Sequence, residues 1–230
     1  MSLYAIGDLH LSLAAEKPMD VFGGEWENYV EKLRAGFSAL GEDDVCVICG
    51  DISWAMNLEA AAEDFRFIGA LPGKKIILKG NHDYWWSTAN KAQTMMQALG
   101  IGSIEFLNNN CFFYGEDIAL CGTRGWFYEE DRGTEHDRKM LLRELGRLET
   151  SLRAAGDREK YVFLHYPPKY GRYECPEMLE LLLRYDVRRC VSGHIHGPAR
   201  RLAFEGTYRG TEHILVSADH VGFRPVLLAD

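Results

Sequence analysis

Short apolar segments that end in acidic, amide or imidazole side chains recur along most of this chain, and they constrain its fold strongly. The segments, each with the polar residues that follow it, are Leu3–Gly7 with Asp8 and His10, Val45–Cys49 with Asp51, Lys75–Leu78 with Asn81, His82 and Asp83, Tyr161–Leu164 with His165, and Arg189–Ser192 with His194 and His196. In open α/β sheets, ligands bind at the carboxyl ends of the strands. We therefore expect these side chains to converge on one site although they are distant in sequence.

Between these segments apolar residues recur at helical spacing, which predicts an alternation of strands and helices. The predicted helices are 26–40, 58–68, 87–99, 134–152 and 176–183, and Thr134 with Asp137 forms a capping-box pattern. Three short strands in the middle of the chain, 104–107, 111–114 and 118–121, are expected to pair antiparallel, and the tail adds strands at 214–217 and 225–228. The pattern predicts one α/β domain over residues 1–230, with two packed mixed β-sheets flanked by helices.

Charge and cysteine usage narrow the function classes. The chain has 26 Lys and Arg against 34 Asp and Glu, a net charge of −8, which argues against a broad nucleic-acid-binding surface. Cys46 and Cys49 form a C-x-x-C pattern inside a predicted strand, so their side chains should point to opposite faces as separate buried thiols. No apolar run approaches the ~18 residues of a membrane span, and no basic leader is apparent. These features favour a cytoplasmic protein with no membrane contact.

The polar residues at the strand ends have the chemistry of metal ligands. Aspartate, histidine and asparagine suit divalent ions such as Mn, Fe, Zn or Ni, and no thiolate is included. His194 and His196 are two positions apart, so in an extended segment both lie on one face. Each short pattern is weak alone, whereas the combination of five such blocks is a strong indication of a metal site.

Together the five blocks resemble the calcineurin-like metallophosphoesterase superfamily, in order and spacing, across residues 8–196. The resemblance implies a four-layer α/β/β/α sandwich and two divalent metal ions as cofactors. It implies that one ion is held by Asp8, His10, Asp51 and His196, and the other by Asp51, Asn81, His165 and His194. It also implies in-line attack by a metal-bridging hydroxide, with His82 as general acid steadied by Asp83.

The charge of such a centre indicates its substrate. Two divalent ions bring four positive charges and the two aspartates bring two negative charges, so an excess of two positive charges attracts a phosphate dianion. The expected partner is therefore a small phosphomonoester or phosphodiester, with a nucleotide-like compound as one candidate. The protein phosphatases of this superfamily have an arginine shortly after the second block; none follows Asp51 here, and Arg124 is the candidate replacement for contact with the phosphate.

Two alternatives and one ambiguity stay open. A metal-binding scaffold without catalysis would share the fold, although such relatives typically lack the histidine found at His82. A single-strand nuclease of the same superfamily is disfavoured by the acidic charge. Aromatic residues crowd the strand ends, where they either pack the helices onto the sheet or form a rim that stacks a flat group such as a nucleobase. These aromatic residues are Trp54, Tyr84, Trp85, Trp86, Trp126, Tyr166 and Tyr170.

Overall fold

Two mixed β-sheets form the framework of this protein. The computed structural model describes residues 1–15, 17, 19–127 and 133–230. Its strands are β1 (Leu3–Ile6), β2 (Val45–Ile48), β3 (Lys74–Ile77), β4 (Ile104–Phe106), β5 (Cys111–Tyr114), β6 (Ile118–Thr123), β7 (Glu159–Leu164), β8 (Lys169–Tyr170), β9 (Tyr173–Glu174), β10 (Val187–Ser192), β11 (Gly206–Tyr208), β12 (Thr211–Leu215) and β13 (Val226–Ala229). Its α-helices are α1 (Tyr29–Phe37), α2 (Ala62–Ala70), α3 (Ala89–Ala98), α4 (Glu135–Ala154) and α5 (Pro176–Arg184), and short 3-10 helices occupy Met19–Phe22, Gly24–Trp26 and Gly197–Leu202.

The strand order brings the predicted site segments side by side. The first sheet has the order β13-β1-β2-β3-β4, and the second has the order β11-β12-β10-β7-β6-β5. Strands β1 to β3 run parallel in the first sheet, and β6, β7 and β10 run parallel in the second. The carboxyl ends of parallel neighbours meet at one edge, so both sheets direct their polar loops to a shared rim.

Three hydrophobic clusters divide the molecule into layers. Val47, Phe163 and Val191 belong to the cluster between the two sheets. A second cluster, which includes Phe37 and Phe65, packs helices α1 to α3 on the first sheet, and a third packs α4 and α5 on the second. Each sheet is covered on one face by the other sheet and on the other face by helices, so its strands are apolar almost throughout. The predicted fold class, two mixed sheets flanked by helices, is confirmed.

The middle of the chain departs from the expected antiparallel arrangement. Strand β4 pairs parallel with β3 as an edge of the first sheet, whereas β5 and β6 form an antiparallel pair in the second. The turn between β4 and β5 is closed by Asn110, whose side chain accepts from Asn108 N–H at 2.7 Å and donates to Phe106 O at 3.2 Å. This turn passes the chain from one sheet to the other, so the expectation for β4 was wrong.

Other local predictions are confirmed. Thr134 and Asp137 make the reciprocal capping box at the start of α4. Cys46 and Cys49 are both buried and unpaired, and they belong to different hydrophobic clusters on opposite faces of the first sheet. No helix in the described part of the chain is long and apolar enough to cross a membrane. The assignment of residues 1–230 to one domain stays a prediction.

Candidate metal centre

The seven residues predicted as metal ligands lie together where the two sheets meet. Asp51 Oδ2 is 3.7 Å from His10 Nε2 and 3.5 Å from His165 Nε2, although these residues follow β2, β1 and β7. Asn81 Oδ1 is 2.6 Å from His165 Nε2. The remaining members of the set are Asp8, His194 and His196, and their contacts with the same group are described below.

The backbone is strained at four of these positions. Asp8, His10, Asp51 and His194 have φ values of 57°, 47°, 52° and 72°. These lie in the left-handed region, which residues other than glycine rarely adopt. Such conformations cost of order 1–3 kcal/mol each and persist where the surrounding structure fixes them. Clustered strain of this kind is typical of functional sites, and here it turns the side chains inward after each strand.

Two groups of donor atoms are close enough to hold an ion. The ligand atoms of Asp8, His10 and His196 all lie within 4.8 Å of one another, and so do those of Asp8, Asp51 and His165. Asp8 and Asp51 are buried, and burial raises the pKa of both carboxyl groups, that of Asp51 to about 6. Two buried carboxylates near each other are unfavourable when charged, and bound cations would relieve that cost.

His165 shows how the framework prepares a ligand. Its Nδ1 lies 3.0 Å from the carbonyl oxygen of Cys49, which accepts the ring proton and leaves the Nε2 lone pair facing Asn81 and Asp51. Burial lowers the pKa of His165 to about 3, so the ring is neutral near pH 7. With the ring proton on Nδ1, the Nε2 lone pair, Asn81 Oδ1 and Asp51 Oδ2 point at one place. A cation there would satisfy all three.

The other histidines complete the arrangement. The backbone N–H of His194 donates to the carboxylate of Asp8 at 2.9 Å, and its ring centroid lies 5.0 Å from that of His165. Burial lowers the pKa of His194 to about 2, so this ring is also neutral. The ring of His196 lies 5.2 Å from that of His10.

His82 lies at the margin of this group. It is half-buried, and its ring centroid is 5.7 Å from that of His10 and 4.4 Å from the Trp54 ring. Its Nδ1 is 3.3 Å from the hydroxyl of Tyr84, and its backbone N–H donates to Asp51 Oδ1 at 2.7 Å. The side chain is therefore beside the candidate ligands, in a position from which it could reach a bound substrate.

Asp83 makes contacts that differ from those expected. The resemblance implied that it steadies His82, yet the His82 ring nitrogen faces Tyr84. The Asp83 carboxylate is fully buried and accepts five hydrogen bonds, from the N–H groups of Asp51, Ile52, Ser53 and Gly80 and from the Trp85 indole. It therefore ties the loop after β2 to the loop after β3, because a carboxylate has enough lone pairs to accept all of them.

Arg124 follows β6, on the side of β7 away from β10. Its carbonyl oxygen accepts the N–H groups of His165 at 3.1 Å and Tyr166 at 2.9 Å, which fixes this strand end to the candidate ligands. The guanidinium lies 3.7 Å from Glu144 and over the Trp126 ring at 4.7 Å. Its Nε is buried and has no hydrogen-bond partner among the described residues.

Five of the seven aromatic residues at the strand ends form two sets. Trp85 and Trp86 are buried and pack edge-on against Phe65 and Phe106, as the packing interpretation expects. Trp54 instead stacks on the His10 ring at 4.9 Å. Tyr84 and Tyr166 contact His82 and His194, with ring centroids 6.0 Å and 4.4 Å apart. Only the second set borders the candidate centre.

Sequence reasoning missed two acidic residues near the site. Asp219 follows β12 and accepts the N–H of Gly197, directly after His196, at 2.6 Å. Asp219 could have been found from the sequence, because it follows the predicted strand 214–217 as the other candidate residues follow theirs. Glu144 is fully buried on the apolar face of α4, where it accepts a hydrogen bond from Thr123 and one from Arg147 at 2.7 Å. A single acid among leucines at helical spacing was its sequence signal.

The residues present fit divalent cations. Both ring nitrogens of His10 and Asp51 Oδ2 are buried without hydrogen-bond partners among the described residues. A buried polar atom without a partner is costly, and a metal ion is the partner that nitrogen and carboxylate lone pairs would share. Glycine also leaves space that a Cβ would fill, since a Cβ at Gly80 would collide with Asp51 Oδ1 and one at Gly193 would lie 2.6 Å from Asp8 Oδ2.

Comparison with known proteins identifies the family. The chain belongs to the calcineurin-like phosphoesterase family, whose model matches residues 1–198, and membership implies a metal-dependent phosphoester hydrolase. This confirms the resemblance drawn from the five sequence blocks. No curated protein matches the chain.

Several solved structures share the fold. A protein of unknown function from Aquifex aeolicus is 16% identical, with a TM-score of 0.51, over 98% of this chain and 95% of that chain. The phosphopantetheinyl hydrolase PptH from Mycobacterium tuberculosis is 14% identical, with a TM-score of 0.60 and the same shares. A Thermus thermophilus protein is 12% identical, with a TM-score of 0.56, over 99% and 97%. At these identities the likeness shows the fold alone.

Proposed function

We propose that this protein is a two-metal phosphoesterase that hydrolyses a small phosphomonoester or phosphodiester in the cytoplasm. The observation that carries the proposal is the position of Asp51. Its buried Oδ2 has no hydrogen-bond partner among the described residues and lies between His10 and His165, 3.7 Å and 3.5 Å away. A carboxylate oxygen shared between two histidine-containing groups is what a pair of ions with one bridging ligand requires.

The ligands divide into two sets that share Asp51. One ion would be held by Asp8, His10, Asp51 and His196, and the grouping of Asp8, His10 and His196 within 4.8 Å supports this set. The other would be held by Asp51, Asn81, His165 and His194, supported by the contacts of His165 with Asn81 and Asp51. Mn, Fe, Zn and Ni are the candidate metals, because the donor set is nitrogen and oxygen without sulfur.

The chain's own residues position the ester and move a proton. When bound, the two ions supply an activated water nucleophile and stabilise the attacking and leaving oxygens of an in-line displacement. His82, half-buried beside His10, donates a proton to the leaving-group oxygen, and Tyr84 at 3.3 Å orients the ring. Arg124 contacts the phosphate, while Asp83 holds the loops that carry Asp51 and Asn81.

The test is metal-dependent turnover matched to metal content. Chelator-treated protein is reloaded with Mn, Ni, Zn or Fe, and p-nitrophenyl phosphate and its bis ester are assayed beside elemental analysis. We expect about two ions per chain, turnover that a chelator abolishes, and loss of both metal and turnover in Asp51→Asn. Asp117→Asn is the control, since Asp117 is an exposed acid in the turn between β5 and β6.

The alternatives give different results in the same experiment. A scaffold would bind metal without hydrolysing either ester under any metal. A single-strand nuclease would cleave single-stranded DNA in a strongly salt-dependent way, because phosphate-backbone binding weakens with salt. Either result would contradict the proposed activity on small esters.

A further inference from the structure

A cleft of about 330 Å³ lies beside the candidate metal centre, and the described residues that line it include four cationic side chains, Lys79, Arg124, Arg143 and Arg147, and one acid, Glu144. The whole chain has a net charge of −8, so this concentration of positive charge is local. Small-molecule sites usually measure about 300–1,000 Å³. The cleft is at the small end of that range, which suits one substituent of a small ligand.

Two of the lining residues connect the cleft with the metal centre. Lys79 precedes Gly80 and Asn81, in the loop that Asp83 ties to Asp51. Arg124 accepts the N–H of His165 on its carbonyl oxygen at 3.1 Å. Arg143 and Arg147, on α4, form the opposite wall. The loop after β3 and the segment after β6 therefore contribute residues both to the candidate centre and to the cleft.

The positive charge of the cleft exceeds what its own acid neutralises. Glu144 is fully buried. It accepts a hydrogen bond from Arg147 at 2.7 Å and lies 3.7 Å from the Arg124 guanidinium, so two guanidinium groups share one carboxylate. Lys79 donates to the neutral carbonyl of Trp86 at 3.2 Å. The buried Nε of Arg124 has no hydrogen-bond partner among the described residues. Because Arg124 is assigned to the first phosphate, Lys79, Arg143 and Arg147 against Glu144 leave an excess of two positive charges among the described lining residues.

We propose that this cleft binds a second phosphate of the substrate, so that the substrate is a small phosphate ester that carries another phosphate group. Guanidinium groups donate two parallel hydrogen bonds to phosphate oxygens, and the charge-assisted bonds are stronger than neutral ones. Ser87, Thr88 and Asn108 also line the cleft and add neutral donors. The inference rests on the proposed function, because the first phosphate is the one at the metal centre.

The first test measures binding without catalysis. Inorganic pyrophosphate is titrated into chelator-treated protein and the heat is recorded. The comparison of the wild type with a cleft variant isolates the cleft, because Arg143 and Arg147 line it and are not candidate metal ligands. We expect Arg143→Gln with Arg147→Gln to weaken binding by about tenfold or more. Arg153→Gln is the matched control, because Arg153 is an exposed arginine on α4 that pairs with Glu149 outside the cleft. If the double variant does not fold, Arg143→Gln alone should still weaken binding.

The second test measures substrate choice. The kcat/KM values of ethanediol, butanediol and hexanediol bisphosphates are compared with those of the corresponding monophosphates. We expect the best bisphosphate to exceed its monophosphate by about tenfold or more, and the double variant to reduce the ratio to about two, the number of phosphates. Turnover of p-nitrophenyl phosphate should be unchanged in that variant.

The outcomes separate this inference from the proposed function. Three results would overturn the cleft proposal even if p-nitrophenyl phosphate is hydrolysed. They are no binding of pyrophosphate, equal binding in the wild type and the double variant, and a wild-type ratio of bisphosphate to monophosphate kcat/KM near two. Failure to hydrolyse any ester with any metal would overturn the proposed function. The pyrophosphate titration would then decide separately whether the cleft is a phosphate site.

Discussion

Replacing Asp83 by asparagine should destabilise the protein through the loops it holds together. Asp83 Oδ2 accepts the N–H of Asp51 at 2.9 Å and of Gly80 at 2.7 Å, while Oδ1 accepts Ile52 at 2.8 Å and the Trp85 indole at 2.9 Å. An amide keeps one oxygen and turns an NH₂ group toward the other donors. The less disruptive orientation keeps the amide oxygen at the position of Oδ1. The N–H groups of Asp51 and Gly80 then lose their acceptor.

The size of the effect follows from those two buried donors. Each buried polar group left without a partner costs about 1–3 kcal/mol, so the free energy of unfolding should fall by about 2–6 kcal/mol. Urea unfolding in the presence of a chelator measures this without a contribution from bound metal. Asp117→Asn, at an exposed position, should change stability by about 0.5 kcal/mol or less.

The same variant separates two roles for Asp83. If the carboxylate acts mainly on the His82 ring, as the resemblance implied, asparagine would keep the stability and selectively slow esters with poor leaving groups. If it ties the loops together, stability and metal affinity fall together. A loss of stability below about 1 kcal/mol would refute the argument from the hydrogen bonds.

Three further changes test the general acid, the packing of the centre and the pH dependence of the protein's stability. His82→Ala should slow an alkyl phosphate monoester by about 10²–10⁴-fold and p-nitrophenyl phosphate far less, because p-nitrophenolate leaves without a proton; equal losses would exclude the acid role. Gly80→Ala should lower metal content in elemental analysis because its Cβ would collide with Asp51, whereas Gly102→Ala, whose Cβ meets nothing within 4 Å, should not; unchanged metal in Gly80→Ala would contradict this. Burial lowers the pKa of His213 to about 4, so the folded state binds fewer protons than the unfolded state, and stability should fall as pH drops from about 6.5 through 4. The wild type should lose about 3 kcal/mol more than His213→Gln in urea unfolding over that window, and a pH-independent difference would show that His213 does not titrate as described.

The sequence predicted best those site residues that directly follow a strand in the chain. A strand that ends in Gly-Asp or Gly-Asn-His-Asp places its polar residues at a sheet edge whichever strands are its neighbours. For that reason Asp51, Asn81 and His165 could be grouped before the fold was known. The turn after β4 shows the limit, since Asn108 and Asn110 mark a turn but do not specify which sheet receives the next strand.

Packing between distant elements was beyond prediction from sequence. Glu144 and Arg147 become relevant only because α4 lies against β6, which brings them to Arg124. The partners of Asp83 were also hidden, because five acceptor contacts depend on how the loops after β2 and β3 fold over each other. The resemblance implied a contact with His82 instead, whereas the His82 ring nitrogen faces the hydroxyl of Tyr84.

Hydrogen bonds to the surrounding framework orient several of the candidate ligands. Asp51 uses Oδ1 to accept the N–H of His82 and directs Oδ2 inward, and His165 uses Nδ1 on Cys49 O and directs Nε2 inward. Both carboxylate oxygens of Asp8 accept the backbone N–H of His194, at 3.0 Å and 2.9 Å. Asp51 and His165 are thus each oriented by one atom and present another, which limits the reorganisation that metal binding requires. The strained backbone and the buried acids oppose folding, so the packed layers on both sheets must supply the stability that holds these side chains in place.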